Sequence, residues 1–262
     1  MAKRSAQARR RQRSAQEFPG QHEESRYGDN VRRLFDEPAW SPLGPQQGTA
    51  EERETKYRKN IRPQNDAQAA MMEAIDRSPL VFAAGAAGTG KTYLAVAKGV
   101  EALEAGRVRR IVLSRPAVEA GESLGFLPGD MEEKLSPYLR PLYDALCDRL
   151  SGKRLKSLIA ESVIEIAPIA YMRGRTLNNA YVVIDEAQNC TYGQLKMLLT
   201  RLGWNSTMVV TGDPAQTDLL PGMSGLEDVI GRLSAIDQVS VVRFSRGDVV
   251  RHPLVAEMID AL

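Results

Sequence analysis

The residues whose types and spacing most clearly suit a chemical role form one short stretch, GAAGTGKT at 85–92. This stretch matches the spacing G-x-x-x-x-G-K-[ST]. Glycines let the backbone curl until successive amide hydrogens converge on phosphate oxygens, and a helix that begins behind the loop adds a favourable field. Lys91 is expected to reach the β- and γ-phosphates of a nucleotide, and the Thr92 hydroxyl to bind Mg²⁺. The expected phosphate-binding residues are Gly85, Ala86, Ala87, Gly88, Thr89, Gly90, Lys91 and Thr92.

Acidic and amide side chains follow two apolar stretches farther along the chain. Asp185 and Glu186 come at the end of YVVID, and Gln216 closes the turn GDPAQ behind TMVVT. In open α/β sheets the carboxyl ends of the strands face the ligand crevice, so we expect these groups beside the phosphate loop. Asp185 is the expected Mg²⁺ ligand, and Glu186 is the expected base or orienting group for an attacking water. Gln216 is expected to hydrogen-bond the γ-phosphate or that water.

Six short apolar stretches supply the strands that would position these residues. Each is rich in β-branched residues and bounded by Gly, Pro or Asp, which is typical of strands buried on both faces of a parallel sheet. The predicted strands are 80–84, 110–114, 163–167, 181–185, 207–211 and 239–244. Helices are predicted between them at 64–76, 91–105, 131–150, 153–160, 191–202 and 224–234, with a last one after Pro253. The alternation predicts an α/β fold, a mostly parallel sheet with helices on both faces.

Composition narrows the class of protein. No stretch of about 18 apolar residues occurs, so we expect no membrane span. The two cysteines, Cys147 and Cys190, offer neither a disulfide framework nor a metal cluster, which favours a cytoplasmic location. The chain carries only two histidines, and neither has partners at metal-ligand spacing, so a zinc site is not expected.

The first 62 residues differ from the rest of the chain. Residues 1–16 carry six basic side chains and no acid, whereas 63–262 carry 21 basic and 24 acidic residues, a net of −3. Within 1–62 few apolar residues recur with any period. We therefore expect 1–62 to be a largely disordered extension and 63–262 to be the folded domain. The basic tail is either an electrostatic contact for nucleic acid or a solvated segment that aids solubility.

Together these stretches resemble the PhoH family, P-loop ATPases related to the first motor domain of superfamily 1 helicases. The resemblance covers about 62–262 and rests on long matches: GAAGTGKTYLAV, SRPAVEAGESLGFLPGD, PYLRPLYDAL, APIAYMRGRTLNNAYVVIDEAQN, TGDPAQTDL and DVVRHPLV. It implies a single RecA-like P-loop NTPase domain that binds and hydrolyses ATP with Mg²⁺. It also implies a link to RNA or single-stranded nucleic acid. The first 62 residues match nothing in the family.

The resemblance assigns further roles near the nucleotide. In the related helicases a glutamine before the first strand reads the adenine edge, and Gln68 holds that position here; the alternative is a solvent-facing helix glutamine. The second motor domain of those helicases is not expected here, so autonomous helicase activity is in doubt.

A single nucleotide domain per chain raises the question of which cation neutralises the transferring phosphoryl group. Arg251 or Arg246, behind the sixth strand, is expected to reach the ATP of a neighbouring subunit. The alternative is that both are surface arginines. Head-to-tail donation of this kind closes into a ring, and a homohexamer is the favoured assembly.

Several residues are candidates for nucleic-acid contact. Arg115, at the end of the second strand, either contacts a phosphate of RNA or DNA or pairs with Glu119 or Glu122. Arg173 and Arg175 also suit a phosphate-bearing ligand. Tyr171 either stacks on a base or belongs to the core, the more usual role of a tyrosine.

Three functions remain open. The first is an ATPase coupled to RNA or single-stranded nucleic acid. The second is a nucleotide-gated assembly factor in which ATP holds an oligomer together. The third is a P-loop kinase, against which Glu186 and Gln216 stand, because a kinase does not need a carboxylate that activates water.

Overall fold

The computed structural model describes residues 61–116 and 131–250 together with Met258, and for 131–137 it describes the backbone only. All of these residues lie in one compact unit, Pro42–Leu262. The predicted boundary at residue 62 stays a prediction, because residues 1–60 lie outside the described part. The helix predicted after Pro253 also falls outside it, apart from the helical Met258.

Among the described residues, six strands form one sheet, and every pairing between these strands is parallel. The strands are β1 (Leu80–Gly85), β2 (Arg110–Arg115), β3 (Ile164–Pro168), β4 (Ala180–Ile184), β5 (Thr207–Gly212) and β6 (Val239–Phe244). Their order across the sheet is β3-β2-β4-β5-β1-β6. Each predicted strand end falls within about one residue of the observed one, because continuous apolar runs are what a doubly covered parallel sheet requires. The predicted α/β fold is confirmed.

Within the described ranges, six α-helices accompany the strands, close to their predicted positions. They are α1 (Asp66–Arg77), α2 (Lys91–Glu104), α3 (Met131–Cys147), α4 (Gly152–Ala160), α5 (Tyr192–Leu199) and α6 (Leu226–Leu233). The part of the chain that the structure describes also contains three short 3₁₀ turns, which the sequence did not predict. They follow strand ends or the loops behind them: Ile169–Met172, Ala187–Asn189 and Arg246–Asp248.

The core lies on both faces of the sheet, and alternate residues of each strand point to opposite faces. On one face α1, α2, α3 and α4 cover strand residues such as Val81, Ile111 and Val183. On the other face α5 and α6 cover residues such as Phe82 and Val182. This arrangement leaves the carboxyl ends of all six strands at one edge, where the phosphate loop begins.

Arg175 and Glu165 form a paired, half-buried ion contact beside β3, with Arg175 NH2 donating to Glu165 Oε2 at 2.6 Å. The Arg175 hydrogen bond holds the pKa of Glu165 below its ordinary value, against the opposing effect of burial. Stabilisation from a lowered carboxyl pKa is present above the unfolded-state pKa and is lost as the pH falls through the folded-state pKa. The phosphate contact expected of Arg175 therefore competes with an existing intramolecular partner.

Arg175→Ala is expected to lower the free energy of unfolding by about 1 kcal/mol at neutral pH, because it removes this paired carboxylate contact. The difference from the wild type should shrink once the pH falls below the ordinary range of a glutamate. Urea unfolding at several pH values measures it, with Arg173→Ala as the control. A difference that stays constant down to pH values where Glu165 is protonated in both states would contradict the assignment.

Among the described helices, none combines the length and the apolar character that a bilayer crossing requires.

Candidate active site

The phosphate loop joins β1 to α2 and folds as the glycine spacing requires. Gly90, the residue before α2, has φ 84, in the left-handed region that glycine tolerates. Gly85 has φ 138, and a Cβ there would lie 1.9 Å from the carbonyl oxygen of Phe244 at the end of β6. Glycine at position 85 is therefore required both by its backbone angle and by the close approach of the neighbouring strand.

Lys91 lies inside the loop and is only 7% exposed. Its Nζ donates to the carbonyl oxygens of Gly85 and Ala86 at 2.7 Å each, and to Thr89 Oγ1 at 3.2 Å. Burial lowers the pKa of Lys91, and nearby carboxylates act in the opposite direction. The ammonium group is thus held at the centre of the loop, and its expected contact with the β- and γ-phosphates stays a prediction.

Asp185 follows directly after β4 and is brought to the start of α2. Its Oδ1 accepts from Thr92 Oγ1 at 2.7 Å and from Thr211 Oγ1 at 2.7 Å. The residue is 2% exposed. A hydroxyl and a carboxylate oxygen in contact, beside a phosphate loop, form the oxygen donor set that Mg²⁺ prefers in such proteins. The two residues predicted to bind Mg²⁺ are therefore adjacent and fit that ion.

Glu186 begins a tight turn behind Asp185. Its backbone adopts φ 52 and ψ 41, a left-handed conformation that is rare for residues other than glycine. Its Oε2 accepts a hydrogen bond from Gln188 Nε2. Strained backbone of this kind persists where the surrounding contacts determine it, and it occurs often at functional sites.

Asp213, the second residue of the GDPAQ turn, connects this turn to the phosphate loop. Its Oδ2 accepts from the Ala87 backbone N–H at 3.1 Å, and its own N–H donates to Gln188 Oε1 at 3.0 Å. The carboxylate is 8% exposed. One amide of the loop thus already holds an anionic group where a phosphate oxygen is expected.

A cleft of about 560 Å³ joins these groups at the carboxyl edge of the sheet. Gln216 lines it with an exposed side chain, in the company of Lys91, Asp185 and Glu186. The structure therefore brings the expected loop, metal ligand, glutamate and glutamine together around one space. What each does with a nucleotide stays a prediction.

Gln68, expected to read adenine, is 4% exposed, so the alternative of a solvent-facing glutamine is wrong. Its Nε2 donates to the carbonyl oxygen of Thr89 at 3.0 Å, and its Oε1 accepts from the Gln64 N–H at 2.9 Å. The side chain ties α1 to the phosphate loop. Contact with adenine stays a prediction, and it would require at least part of this carboxamide to exchange partners.

The structure describes one of the two arginines that are expected to reach a neighbouring subunit. Arg246 is exposed on the 3₁₀ turn behind β6. The chain that follows this turn contacts the phosphate loop, because the Val250 N–H donates to the Gly88 carbonyl at 3.0 Å. Arg251 lies outside the described residues. Arg243, in the same region, pairs with Glu227 at 2.8 Å.

The candidates for nucleic-acid contact lie near the same edge. Tyr171 is 58% exposed, so the alternative of a core tyrosine is wrong. It lies on the 3₁₀ turn behind β3, and the exposed Arg173 follows it closely. Glu119 and Glu122, the alternative partners of Arg115, lie outside the described residues.

The sequence did not predict the site contacts of four residues, Thr211, Asp213, Gln188 and Arg115. The first three carried a local signal. Asp213 stands behind β5 as Asp185 stands behind β4, and Thr211 is a hydroxyl within an otherwise apolar strand. Gln188 is a buried amide in the turn after Glu186. Arg115 lies 3.7 Å from Asp185 and 3.4 Å from Glu186. This placement had no local signal, because it depends on which strands are neighbours.

Comparison with known proteins identifies relatives of this chain. The sequence profile of the family described as PhoH-like protein matches residues 60–262. A PhoH-like protein from Bacillus subtilis (strain 168) is 56% identical over 204 residues, which is 78% of this chain and 64% of that protein. Protein PhoH from Escherichia coli (strain K12) is 47% identical over 205 residues, 77% of this chain and 58% of that protein.

Among solved structures, the large terminase from a thermophilic bacteriophage aligns with a TM-score of 0.48 at 9% identity. The alignment covers 76% of this chain and 50% of the terminase. The chain spans only 58–64% of the length of the two relatives above. Because the family profile matches residues 60–262 and the two PhoH relatives are 47% and 56% identical, the chain belongs to the PhoH-like protein family.

Proposed function

We propose that this protein binds ATP with Mg²⁺ and hydrolyses it. The observation that carries the proposal is the 2.7 Å contact between Thr92 Oγ1 and Asp185 Oδ1, with Glu186 next to it on the cleft. A hydroxyl at the start of the loop helix and a carboxylate at a strand end are the Mg²⁺ ligands of P-loop nucleotide hydrolases.

Each residue contributes a separate part of the reaction. Lys91 and the loop amides offset the charge of the β- and γ-phosphates, which is where most of the stabilisation of phosphoryl transfer originates. Bound Mg²⁺, held by Thr92 and Asp185, would neutralise charge on the same oxygens. Glu186 orients and deprotonates the attacking water. The Ala87 N–H donates to the Asp213 carboxylate. A bound γ-phosphate is also anionic and would compete for this N–H, so Asp213 must release it when the phosphate binds.

Hydrolysis is favoured over the two alternatives by the position of Glu186. A kinase would need a bound acceptor hydroxyl in place of water, whereas Glu186 beside the metal ligand needs only a water molecule to act as a base in hydrolysis. An assembly factor that only holds ATP does not need a base beside the metal ligand, whereas hydrolysis uses one to activate water.

Coupling to RNA or single-stranded nucleic acid is part of the proposal. It is supported by the exposed Tyr171 and its neighbour Arg173, at the same sheet edge as the cleft, and by the basic residues of 1–16. Exposed aromatic rings stack on unpaired bases, and basic side chains bind phosphates without sequence preference.

Phosphate release from ATP is expected to require Mg²⁺ and to be faster with RNA or single-stranded DNA than with duplex DNA or no nucleic acid. The assay runs all four conditions with Mg²⁺ and with excess EDTA, and Tyr171→Ala tests the stacking contact. Equal rates in all four conditions would remove the nucleic-acid part. Absence of release with Mg²⁺ in every condition would remove hydrolysis itself.

A ring of subunits, with a hexamer favoured, would supply Arg246 or Arg251 to the ATP of the next subunit. The rate per subunit is then expected to fall on dilution, and Arg246→Ala or Arg251→Ala should lower the rate at the concentrations where the ring is assembled. Light scattering gives the assembly size alongside the rate, with Arg243→Ala as the control. A monodisperse monomer with a rate independent of concentration would rule out the ring. A cytoplasmic location stays a prediction.

A further inference from the structure

Arg115 is the last residue of β2, and the strand order brings it to the acidic pair. β2 and β4 are neighbours, and the Asp185 N–H donates to the Ser114 carbonyl at 2.9 Å, which fixes the two strand ends side by side. Arg115 NH2 lies 3.4 Å from Glu186 Oε1, and Arg115 NH1 lies 3.7 Å from Asp185 Oδ2. One guanidinium therefore spans both carboxylates.

The second carboxylate oxygen of Glu186 is held from the opposite side. Gln188 Nε2 donates to Glu186 Oε2, and Gln188 is itself fixed because its Oε1 accepts from the Asp213 N–H. The Glu186 side chain is 35% exposed, so without a cation on Oε1 only one oxygen would be restrained. The glutamate is thus aimed by two different neighbours, of which Arg115 is the charged one.

The charges that line the cleft also favour a cation at the position of Arg115. Five carboxylates line the cleft, and like charges this close disfavour one another. They are Asp144, Asp148, Asp185, Glu186 and Asp213. Lys91 is turned toward the loop carbonyls and Thr89. Among the described lining residues, Arg115 is the remaining cation, and its side chain is 21% exposed, which reduces solvent screening.

We propose that Arg115 is a positioning residue for hydrolysis within its own chain: it holds the Glu186 carboxylate in the orientation that activates water. The inference rests on the proposed hydrolysis of ATP. It assigns Arg115 to the catalytic glutamate of the same subunit and not to a phosphate of bound nucleic acid. A planar guanidinium suits the task because it presents two N–H groups to two carboxylates at once.

Arg115→Ala is expected to lower kcat by about 10²-fold, the loss typical when a reacting group is displaced by about 1 Å. Affinity for a non-hydrolysable ATP analogue should be retained, since Lys91 and the loop are unchanged. Arg115→Lys should restore part of the rate, because it keeps the charge but not the fork. In a Glu186→Gln background, Arg115→Ala should cause no further loss, because its effect passes through Glu186. Arg77→Ala, an exposed arginine of α1, is the control.

The outcomes separate this inference from the proposed function. A wild type that releases phosphate, with Arg115→Ala equally fast, overturns the inference and leaves hydrolysis standing. A wild type that releases none overturns both. If Arg115→Ala hydrolyses ATP at the wild-type rate without RNA but binds RNA more weakly, Arg115 contacts nucleic acid and the inference is overturned. An additional loss in the Glu186→Gln background would also overturn it. If Arg115→Ala fails to fold by circular dichroism, Arg115→Gln and Arg115→Lys carry the same comparisons.

Discussion

Replacing Lys91 with alanine is expected to reduce phosphate release from ATP by about 10²- to 10³-fold or more, the loss seen when one preorganised donor is removed from a developing anion. The ammonium group is fixed before any nucleotide arrives, because two loop carbonyls and the Thr89 hydroxyl hold it. Its charge is poorly screened at 7% exposure. ATP affinity should fall as well, because Lys91 contacts the phosphates in the ground state.

The measurement is single-turnover phosphate release together with fluorescent nucleotide binding. Lys196→Ala, which removes an exposed lysine of α5, is the matched control and should behave as the wild type. The loop should stay folded in Lys91→Ala, since Gln68 still holds Thr89 from α1. A Lys91→Ala variant with undiminished binding and turnover would contradict the location of the nucleotide site.

Glu186→Gln is expected to lower turnover by about 10²- to 10⁴-fold, the usual contribution of a general base, while ATP binding is retained. Glutamine has the same shape and keeps an oxygen for the Gln188 amide, so the turn should not rearrange. It cannot accept the proton of water, and it removes the carboxylate that pairs with Arg115. Asp185 and Thr92 are unchanged, which preserves the Mg²⁺ site.

Phosphate release and nucleotide affinity are measured in parallel, with Glu104→Gln, an exposed residue of α2, as the control. Loss of release with intact binding is the result expected of a hydrolase. Turnover equal to that of the wild type would exclude the role given to Glu186 and would revive the kinase and assembly alternatives. Loss of binding as well would indicate that the glutamate supports the fold of the loop.

The sequence predicted the local elements well because each is encoded by a short range of residues. Strands buried on both faces must be apolar throughout, so β1 and β5 could be delimited from the chain alone. The glycine spacing of 85–90 could be interpreted because only glycine tolerates the backbone of Gly85 and Gly90. A polar residue directly after a buried strand was a sufficient signal for Asp185.

The sequence could not predict contacts that join distant segments. Asp185 was expected beside the phosphate loop and lies there, but the sequence did not show that β5 separates β1 from β4 or that the contact comes from Thr92 at the start of α2. Gln68 was expected to face adenine or solvent, yet its carboxamide is buried against the loop backbone. In both cases the contact partners are set by long-range packing, which position in the chain does not encode.

By itself, the sequence determined which residues have side chains suited to binding phosphate, Mg²⁺ or water. It also determined which edge of the sheet they occupy, since strand ends and glycine turns are local properties of the chain. Only the tertiary structure decided which of these residues touch. It placed Arg115 on Glu186 and Asp213 on the Ala87 amide, across strands far apart in sequence. The physical reason is that strand order is set by the burial of two core layers at once, and no local pattern encodes that balance.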